Sequence, residues 1–311
     1  MSAGLALRRA ATATACRRSI RCHSPSALQR SLRRGDRRCV SSACAEGEVL
    51  ASAIDAHASG IAARFGFPYT EGQFVEDFGC SPAKAIELLK PLSLDERTAR
   101  LEDVVADRIF GIVPLVEGLC DLGNISAVAR TAEGLGLGSL HIVADKDDQF
   151  KQSARTSSGS HKWLHVKRWT SARDSLLAAK RDGYQIVATH LDASAVPMEE
   201  IDFSQRTVVI FGNEHAGVSQ EALALADRTA AVPMRGFVES FNISVAAAIV
   251  LKGAVDRRVA GGRGADGGGR GDLSAQERQI LEAIYHAKHR GPKVREVLDE
   301  LLKREANGRS S

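Results

Sequence analysis

Three groups of polar residues follow apolar, strand-like runs of this chain, where residues that bind ligands or do chemistry are often found. They are, in chain order, Asn124 with Arg130, Glu214 with His215, and Ser240 with Asn242. The last pair precedes small and apolar residues that run to Leu251 and read as a helix. The start of a helix offers free N–H groups and the positive end of its dipole to whatever lies in the preceding loop. The third group therefore predicts a ligand site at a helix N-terminus.

The first group lies in the stretch 120–132. Asn124 stands at a plausible helix N-cap, and Arg130 follows six residues later. A spacing of six does not make the two simple neighbours on one helix face. Asn124 and Arg130 either contact one ligand from different turns of the helix, or are an ordinary N-cap and a surface arginine.

The second group lies in 211–219, directly after a buried-looking strand. Gly212 and Gly217 permit tight turns and a close backbone approach to a ligand. A histidine beside Glu214 suggests acid–base chemistry, and the alternative is a solvated loop histidine. The stretch has no Walker pattern, so a nucleoside triphosphate site is disfavoured.

Apolar strand-like runs alternate with amphipathic helices between residues 111 and 257, which predicts a mainly parallel sheet with helices on both faces. The predicted strands are 112–116, 140–143, 165–169, 185–189, 208–211 and 230–233. The predicted helices between them are 125–135, 172–181 and 220–226. In such sheets, ligands bind at the carboxyl ends of the strands, which is where the three polar groups lie.

Helical extensions flank this domain. Residues 46–110 form the N-terminal one, with helices predicted over 48–64, 82–90 and 94–110. The last of these has Ser93 before it and Glu96 three residues on, the pattern of a capping box. A Gly-rich linker is predicted over 258–272, and a helical tail, 273–311, contains helices over 273–290 and 292–305.

Residues 1–45 differ in composition from the rest. They contain ten Arg, no Lys and a single acidic residue, Asp36. An Arg- and Ser-rich segment that is poor in acidic residues is typical of an organellar transit peptide, and the alternative is a disordered basic arm that holds nucleic acid. We expect a chloroplast transit peptide, with the mitochondrion as the alternative.

The composition of the chain argues against a membrane protein, a disulfide-rich protein and a metal-dependent protein. With 44% hydrophobic and 26% charged residues, the chain is typical of a soluble globular protein, and no apolar run is long enough for a membrane span. Four of the six cysteines lie in residues 1–45, and Cys80 and Cys120 remain, too few for a disulfide framework or a cysteine metal site. We expect neither a metal cofactor nor a membrane partner.

Together the three groups make the sequence recognisable. The segments 124–132, 212–219 and 232–246 resemble, in order and spacing, the three motifs of the SPOUT superfamily of methyltransferases, in its TrmH-type tRNA guanosine-2′-O-methyltransferase branch. The resemblance runs from about Leu92 through Leu251. The chain departs from it at Leu122-Gly123, where relatives often have Pro-His, and at Phe241, where Leu is usual.

The resemblance implies an α/β fold with a deep trefoil knot near the C-terminal end of the catalytic domain, a rare exception to unknotted chains. It implies S-adenosylmethionine as cofactor and a homodimer with its site near the subunit interface. It places the cofactor contacts at five positions, Thr189, Gly212, Val232, Met234 and Phe241.

The same resemblance assigns the central catalytic role to Arg130, which would contact the target phosphate and activate a ribose 2′-hydroxyl. Because a guanidinium is effectively always protonated, an equally physical role is to stabilise the developing alkoxide while phosphate or water accepts the proton. The positions that would orient Arg130, substrate and cofactor are Asn124, Glu214, Ser240 and Asn242. His215 has no clear counterpart.

The preferred substrate is a D-loop guanosine of tRNA, position 18. An rRNA guanosine 2′-O-methyltransferase is the alternative among enzymes, and a catalytically silent RNA-binding factor on the same scaffold is the alternative outside them. The basic residues of the C-terminal helices, such as Lys288 and Arg290, either contact phosphates or belong to a solvated, dimer-supporting tail.

Overall fold

The computed structural model describes residues 65–118, 121–144, 159–213, 216–261 and 270–308, all within one compact unit that spans 61–311. The predicted transit peptide, the helix predicted over 48–64, and both Glu214 and His215 lie outside the described residues.

A parallel sheet forms the centre of the unit, because long runs of β-branched and other apolar residues are buried on both of its faces. Its strands are β1 (Ile112–Glu117), β2 (Ser139–Val143), β3 (His165–Trp169), β4 (Gln185–Thr189), β5 (Val196–Pro197), β6 (Thr207–Phe211) and β7 (Arg228–Ala231). Their order across the sheet is β3-β2-β1-β6-β4-β7-β5, with every pair parallel. The predicted parallel α/β fold is confirmed, and only the two-residue strand β5 was not predicted.

The described part of the chain also contains nine α-helices. They are α1 (Glu71–Phe78), α2 (Pro82–Leu89), α3 (Asp95–Ala106), α4 (Leu122–Gly134), α5 (Ala172–Arg181), α6 (Gln220–Leu225), α7 (Ile243–Ala260), α8 (Ala275–Arg290) and α9 (Val294–Gly308). Short 3₁₀ turns occupy Lys90–Leu92, Ser160–Lys162 and Met198–Glu200.

Helices cover both faces of the sheet. Alternate residues of a strand point to opposite faces, so Ile112 and Val116 of β1 pack with α4 and α7, whereas Val113 and Leu115 pack with α5 and α6. The two apolar clusters therefore fix which helices lie on the same side. Helices α4 and α7, which carry the first and third polar groups, share one face.

The terminal helices form a third apolar cluster of their own. Residues of α1, α2 and α3 pack against α8 and α9, with Leu89, Tyr285 and Leu298 all fully buried. Segments some 200 positions apart in sequence thus share a core. The N-terminal and C-terminal helices are two halves of one bundle.

Two local predictions in the N-terminal helices are wrong. Helix α3 ends at Ala106 rather than at Phe110, because Ile109 leaves the helix to exchange backbone hydrogen bonds with Gly136 and Gly138 beside β2. The capping box is absent as well. Leu94 is the N-cap without a side-chain bond, and the Ser93 hydroxyl accepts instead from Arg290 at 3.2 Å.

Both ends of the stretch predicted as a Gly-rich linker are anchored. Arg258 belongs to α7 and pairs with Asp272 at 2.9 Å, with both side chains less than a tenth exposed. The Asp272 carboxylate also accepts the backbone N–H groups of Phe110 and Gly111, at 2.8 and 2.7 Å. The pair therefore ties the ends of the stretch to the start of β1.

Candidate active site

The carboxyl ends of β6, β4 and β7 lie side by side and position three of the predicted cofactor residues. Thr189 ends β4, Gly212 follows β6, and Val232 follows β7. The Thr189 hydroxyl donates to the carbonyl of Ile210 at 2.8 Å, which fixes its side chain between the first two strands. The sheet thus brings Thr189, Gly212 and Val232 to one edge, as parallel topology requires.

The loop after β6 folds tightly on itself at Gly212. A Cβ at this position would lie 2.2 Å from the carbonyl carbon of Gly217, so no other residue fits without a backbone shift. Asn213 and Gly217 exchange two backbone hydrogen bonds of 3.0 and 2.8 Å, and the Asn213 amide donates to the Gly118 carbonyl at 2.6 Å. These bonds tie Asn213 and Gly217 of the loop after β6 to the loop after β1, which leads into α4.

Helix α4 begins earlier than its sequence indicated. Asp121 is the N-cap and its carboxylate accepts the N–H of Gly123 at 2.7 Å, so Asn124 lies in the first turn and the expectation that it caps the helix is wrong. An aspartate three residues upstream is an equally good cap, and Leu122-Gly123 continue the helix instead of preceding it. Capping of α4 therefore falls to Asp121 and not to Asn124.

Helix α7 begins as predicted behind its polar pair. The Asn242 side-chain oxygen accepts from the backbone N–H of Ser244 at 2.9 Å, as a helix N-cap does. Its amide nitrogen donates to Oδ1 of Asn124 at 3.3 Å. Ala247 and Val128 in the shared core hold the two helices together, and their N-terminal ends therefore meet.

Arg130 lies on the exposed side of α4 and lines a cleft of about 260 Å³. Arg97 and Arg100 of α3 line the same cleft, with Glu133 and Trp163. Within the described ranges Arg130 makes no ion pair or hydrogen bond, whereas the Glu133 carboxylate is bound by Arg108 at 2.8 Å. The cleft therefore presents three guanidinium groups against one carboxylate that is already paired.

Neighbouring groups show the same excess of positive charge. The Arg97 guanidinium lies over the Trp163 ring, 5.5 Å from its centroid. Burial, together with the cations Arg97, Arg290 and Lys162, lowers the pKa of His289. A surface of this kind is suited to bind phosphate groups.

The structure joins some predicted residues and leaves others apart. Asn124 and Asn242 are in contact, and Thr189, Gly212 and Val232 share one sheet edge. Met234 is half-buried in the loop after β7, and Ser240 and Phe241 are exposed. No hydrogen bond or ion pair among the described residues joins Ser240, Met234 or Phe241 to Arg130.

Sequence reasoning missed Arg97, Arg100 and Asn213 as parts of this site. Arg97 and Arg100 are three apart on α3, so they lie on one helix face, and that spacing was the available signal. Asn213 joins the loop after β6 to the loop after β1, and no sequence pattern indicates that these two loops meet.

Within those same ranges, no helix is long and apolar enough to cross a membrane. No cluster of three or more His, Cys, Asp or Glu with metal-binding geometry was found among the described residues.

Comparison with known proteins identifies the family. Residues 112–252 match the model of the SpoU rRNA Methylase family. A protein of Escherichia coli strain K12 named tRNA (guanosine(18)-2′-O)-methyltransferase is 37% identical over 162 residues, which are 52% of this chain and 70% of that protein. The Thermus thermophilus protein of the same name is 36% identical over 168 residues, 54% of this chain and 86% of that protein.

A solved structure agrees with these relatives. The crystal structure described as the A. aeolicus TrmH/SpoU tRNA modifying enzyme is 32% identical, and the match covers 61% of this chain and 96% of that one with a TM-score of 0.56. The resemblance seen in the three sequence motifs is thereby confirmed. The chain belongs to the SpoU methylase family.

Proposed function

We propose that this protein transfers a methyl group from S-adenosylmethionine to the 2′-hydroxyl of a guanosine in tRNA, at position 18. The observation that carries the proposal is the contact between Asn124 and Asn242, which joins the helix of Arg130 to the loop that follows β7. Relatives at 36–37% identity over about half of this chain are named for the same reaction.

The cofactor would lie at the carboxyl edge of β6, β4 and β7. Gly212 packs directly against the backbone of Gly217, so the loop after β6 keeps a tight, fixed turn at this edge. Val232 and Met234 are half-buried and Phe241 is 39% exposed, which leaves apolar surface beside this edge for an adenosine. When bound, S-adenosylmethionine supplies a sulfonium methyl group that is already electrophilic.

The protein must position the ribose hydroxyl and ease the loss of its proton. Arg130 does this as a cation, since a guanidinium does not give up its proton in proteins. It holds the phosphate beside the target ribose and stabilises the alkoxide that develops, while phosphate or water takes the proton. Asn124, Ser240 and Asn242 orient the groups around it, and Glu214 is the fourth residue of this set.

The decisive experiment is methyl transfer from labelled S-adenosylmethionine to total organellar RNA, with the modified nucleotide mapped. Label in tRNA at guanosine 18 is expected. Because the matching family model is described as one of rRNA methylases, rRNA is the second candidate substrate, and label in rRNA alone would exclude the tRNA assignment. Label in no RNA would favour the catalytically silent RNA-binding factor.

We further propose that the protein acts as a homodimer through α7. Val245 and Ile249 lie one turn apart on this helix and are 45% and 44% exposed, and Phe241, 39% exposed, lies just before the helix. An exposed apolar stripe next to the site residues is typical of a subunit interface. Sedimentation equilibrium tests this, and Val245→Asp with Ile249→Asp should convert a dimer to a monomer.

The last two motif loops are proposed to form a trefoil knot, which an experimental backbone trace through 212–261 would test. Residues 1–45 are proposed to direct the protein to the chloroplast, with the mitochondrion as the alternative. A fluorescent protein fused behind residues 1–64 and imaged with markers for both organelles decides between them.

A further inference from the structure

A second cavity lies in the helical bundle, outside the site described above. It has a volume of about 560 Å³ and lies between α1, the end of α8 and the start of α9. Its apolar walls include Tyr69, Phe74 and Phe78 from one side of the chain, and Ile284 and Val294 from the other. Apart from Lys162, its lining residues lie outside the region 112–252 that defines the family.

Two lysines line this cavity, and neither is paired with the one acidic residue of its lining, Asp77. Lys162 and Lys288 form no ion pair with any residue in the part of the chain described. Each instead has its ammonium group near an aromatic ring, 5.1 Å from the centroid of Trp163 and 6.0 Å from that of Tyr285. Burial and the nearby cations Arg108 and Lys162 lower the pKa of Lys288 to about 8. The two lysines thus outnumber the one lining acid, Asp77, and leave positive charge that favours an anionic ligand.

The cavity also presents hydrogen-bonding groups beside its aromatic walls. Asp77 and Gln73 of α1 both line it, and the Gln73 amide donates to the Asp77 carboxylate at 3.0 Å. A carboxylate accepts the N–H groups found on the edge of a nucleobase, whereas it repels a second anion. The lining thus combines apolar aromatic walls, an acceptor for N–H groups and two lysines.

This cavity lies next to the Arg130 cleft, because consecutive residues line the two. Lys162 lines the cavity, and Trp163 lines the cleft. On α8, Ile284 likewise lines the cavity, and the next residue, Tyr285, lines the cleft. The cavity and the cleft are therefore neighbours, separated by the residue pairs Lys162–Trp163 and Ile284–Tyr285.

We propose that this cavity receives one unstacked nucleotide of the RNA substrate, with its base against the aromatic walls and its phosphate at Lys162 and Lys288. Stacking on aromatic side chains together with cations along the backbone is a general way of holding single-stranded nucleotides. The inference rests on the proposed function for its ligand. The cavity supplies affinity and positioning, and it takes no part in methyl transfer.

The aromatic wall is tested with Phe78→Leu, which keeps apolar volume and removes the ring. Binding of fluorescein-labelled tRNA transcript is measured by anisotropy, and the Tm of each variant is recorded. We expect affinity about tenfold weaker at an unchanged Tm, because one base–aromatic stack contributes about that much. If Phe78→Leu lowers the Tm, Tyr69→Leu takes its place. Unchanged affinity in a stably folded wall variant overturns the inference.

The lysines are tested with the double variant Lys162→Gln, Lys288→Gln. The control is Lys303→Gln, since Lys303 is exposed on α9 and does not line the cavity. The double variant is expected to weaken tRNA binding and flatten its salt dependence, and the control is not. If the double variant binds tRNA more weakly while the wall variants keep full affinity, the lysines contact phosphate but no base enters the cavity. That result would overturn the inference.

Methyl transfer to the same tRNA is measured in parallel. The cavity variants are expected to raise KM with little change in kcat, because their residues do not touch the reacting groups. Wild-type transfer together with unchanged affinity in the variants overturns this inference alone. Absence of transfer by the wild type overturns the proposed function, and the binding comparison still reports on the cavity.

Discussion

The amide nitrogen of Asn242 donates to Oδ1 of Asn124 at 3.3 Å, although 118 positions separate the two residues. The same Asn242 side chain caps α7 through its oxygen. One residue therefore starts a helix with one atom and fixes the neighbouring helix with the other. The contact connects the loop after β7 to the helix that carries Arg130.

The substitution Asn242→Asp separates the capping of α7 from the hydrogen bond to Asn124. An aspartate oxygen still caps the helix, but it has no N–H to donate to Asn124. We expect stability within about 0.5 kcal/mol of wild type and a clear loss of methyl transfer. Ser171→Ala, which removes the cap of the distant helix α5, should do the opposite, with about 1 kcal/mol lost in urea unfolding and activity retained.

Gly212→Ala tests the close turn at the proposed cofactor site. The added Cβ would meet the backbone of Gly217 and Val218 at 2.2 and 2.3 Å, so the loop must shift. We expect weaker binding of S-adenosylmethionine by isothermal titration calorimetry. Gly72→Ala is the matched control, because nothing lies within 4 Å of a Cβ there. Equal cofactor affinity in the two variants would contradict the assigned role of the turn.

Arg130→Ala is expected to slow single-turnover methyl transfer by about 100-fold or more, the loss typical of an electrostatic group at a reacting centre. Cofactor affinity and stability should be retained, since Arg130 is exposed. Arg130→Lys keeps the positive charge but loses the planar guanidinium, so its methyl-transfer rate should lie between those of the wild type and Arg130→Ala. Arg181→Ala, at an exposed arginine of α5, is the control, and a similar rate loss there would argue against a specific role.

Much of this arrangement was accessible from sequence. Continuous apolar runs such as 208–211 predict buried parallel strands, and parallel strands place the residues that follow them at one edge. The grouping of Thr189, Gly212 and Val232 follows from that rule alone. The family resemblance added the identity of the chemistry and is confirmed by the relatives.

What sequence could not give depends on tertiary packing. The amphipathic patterns of 82–90 and 273–290 predict two helices, but no periodicity indicates that they share a core. The Arg130 cleft needs α3, α4, α8 and a 3₁₀ turn to meet, so Arg97 and Trp163 remained unassigned. The start of α4 is ambiguous in the sequence because Asn124 and Asp121 are both good capping residues, and only the structure shows that Asp121 caps the helix.

RNA affinity is expected to depend on pH through Lys288. Its lowered pKa of about 8 means that the ammonium is largely charged at pH 7 and largely neutral at pH 9. Because the charged form attracts phosphate, tRNA affinity should fall as the pH rises through this range, and Lys288→Gln should remove that part of the dependence. The stability of the free protein should change in the opposite direction: charged Lys288 is disfavoured in the bundle, so stability should rise as pH increases from about 8 toward the ordinary lysine range.

The ion pair between Arg258 and Asp272 is expected to govern the stability of the whole unit. Asp272→Ala leaves a buried guanidinium without its carboxylate and frees the N–H groups of Phe110 and Gly111. Removing one partner of a buried pair costs about 3–5 kcal/mol, to be measured by urea unfolding. Asp256→Ala breaks an exposed pair with Lys252 on the same helix and should cost less than about 1 kcal/mol. Equal losses in the two variants would mean that Asp272 does not hold the end of the Gly-rich stretch against β1.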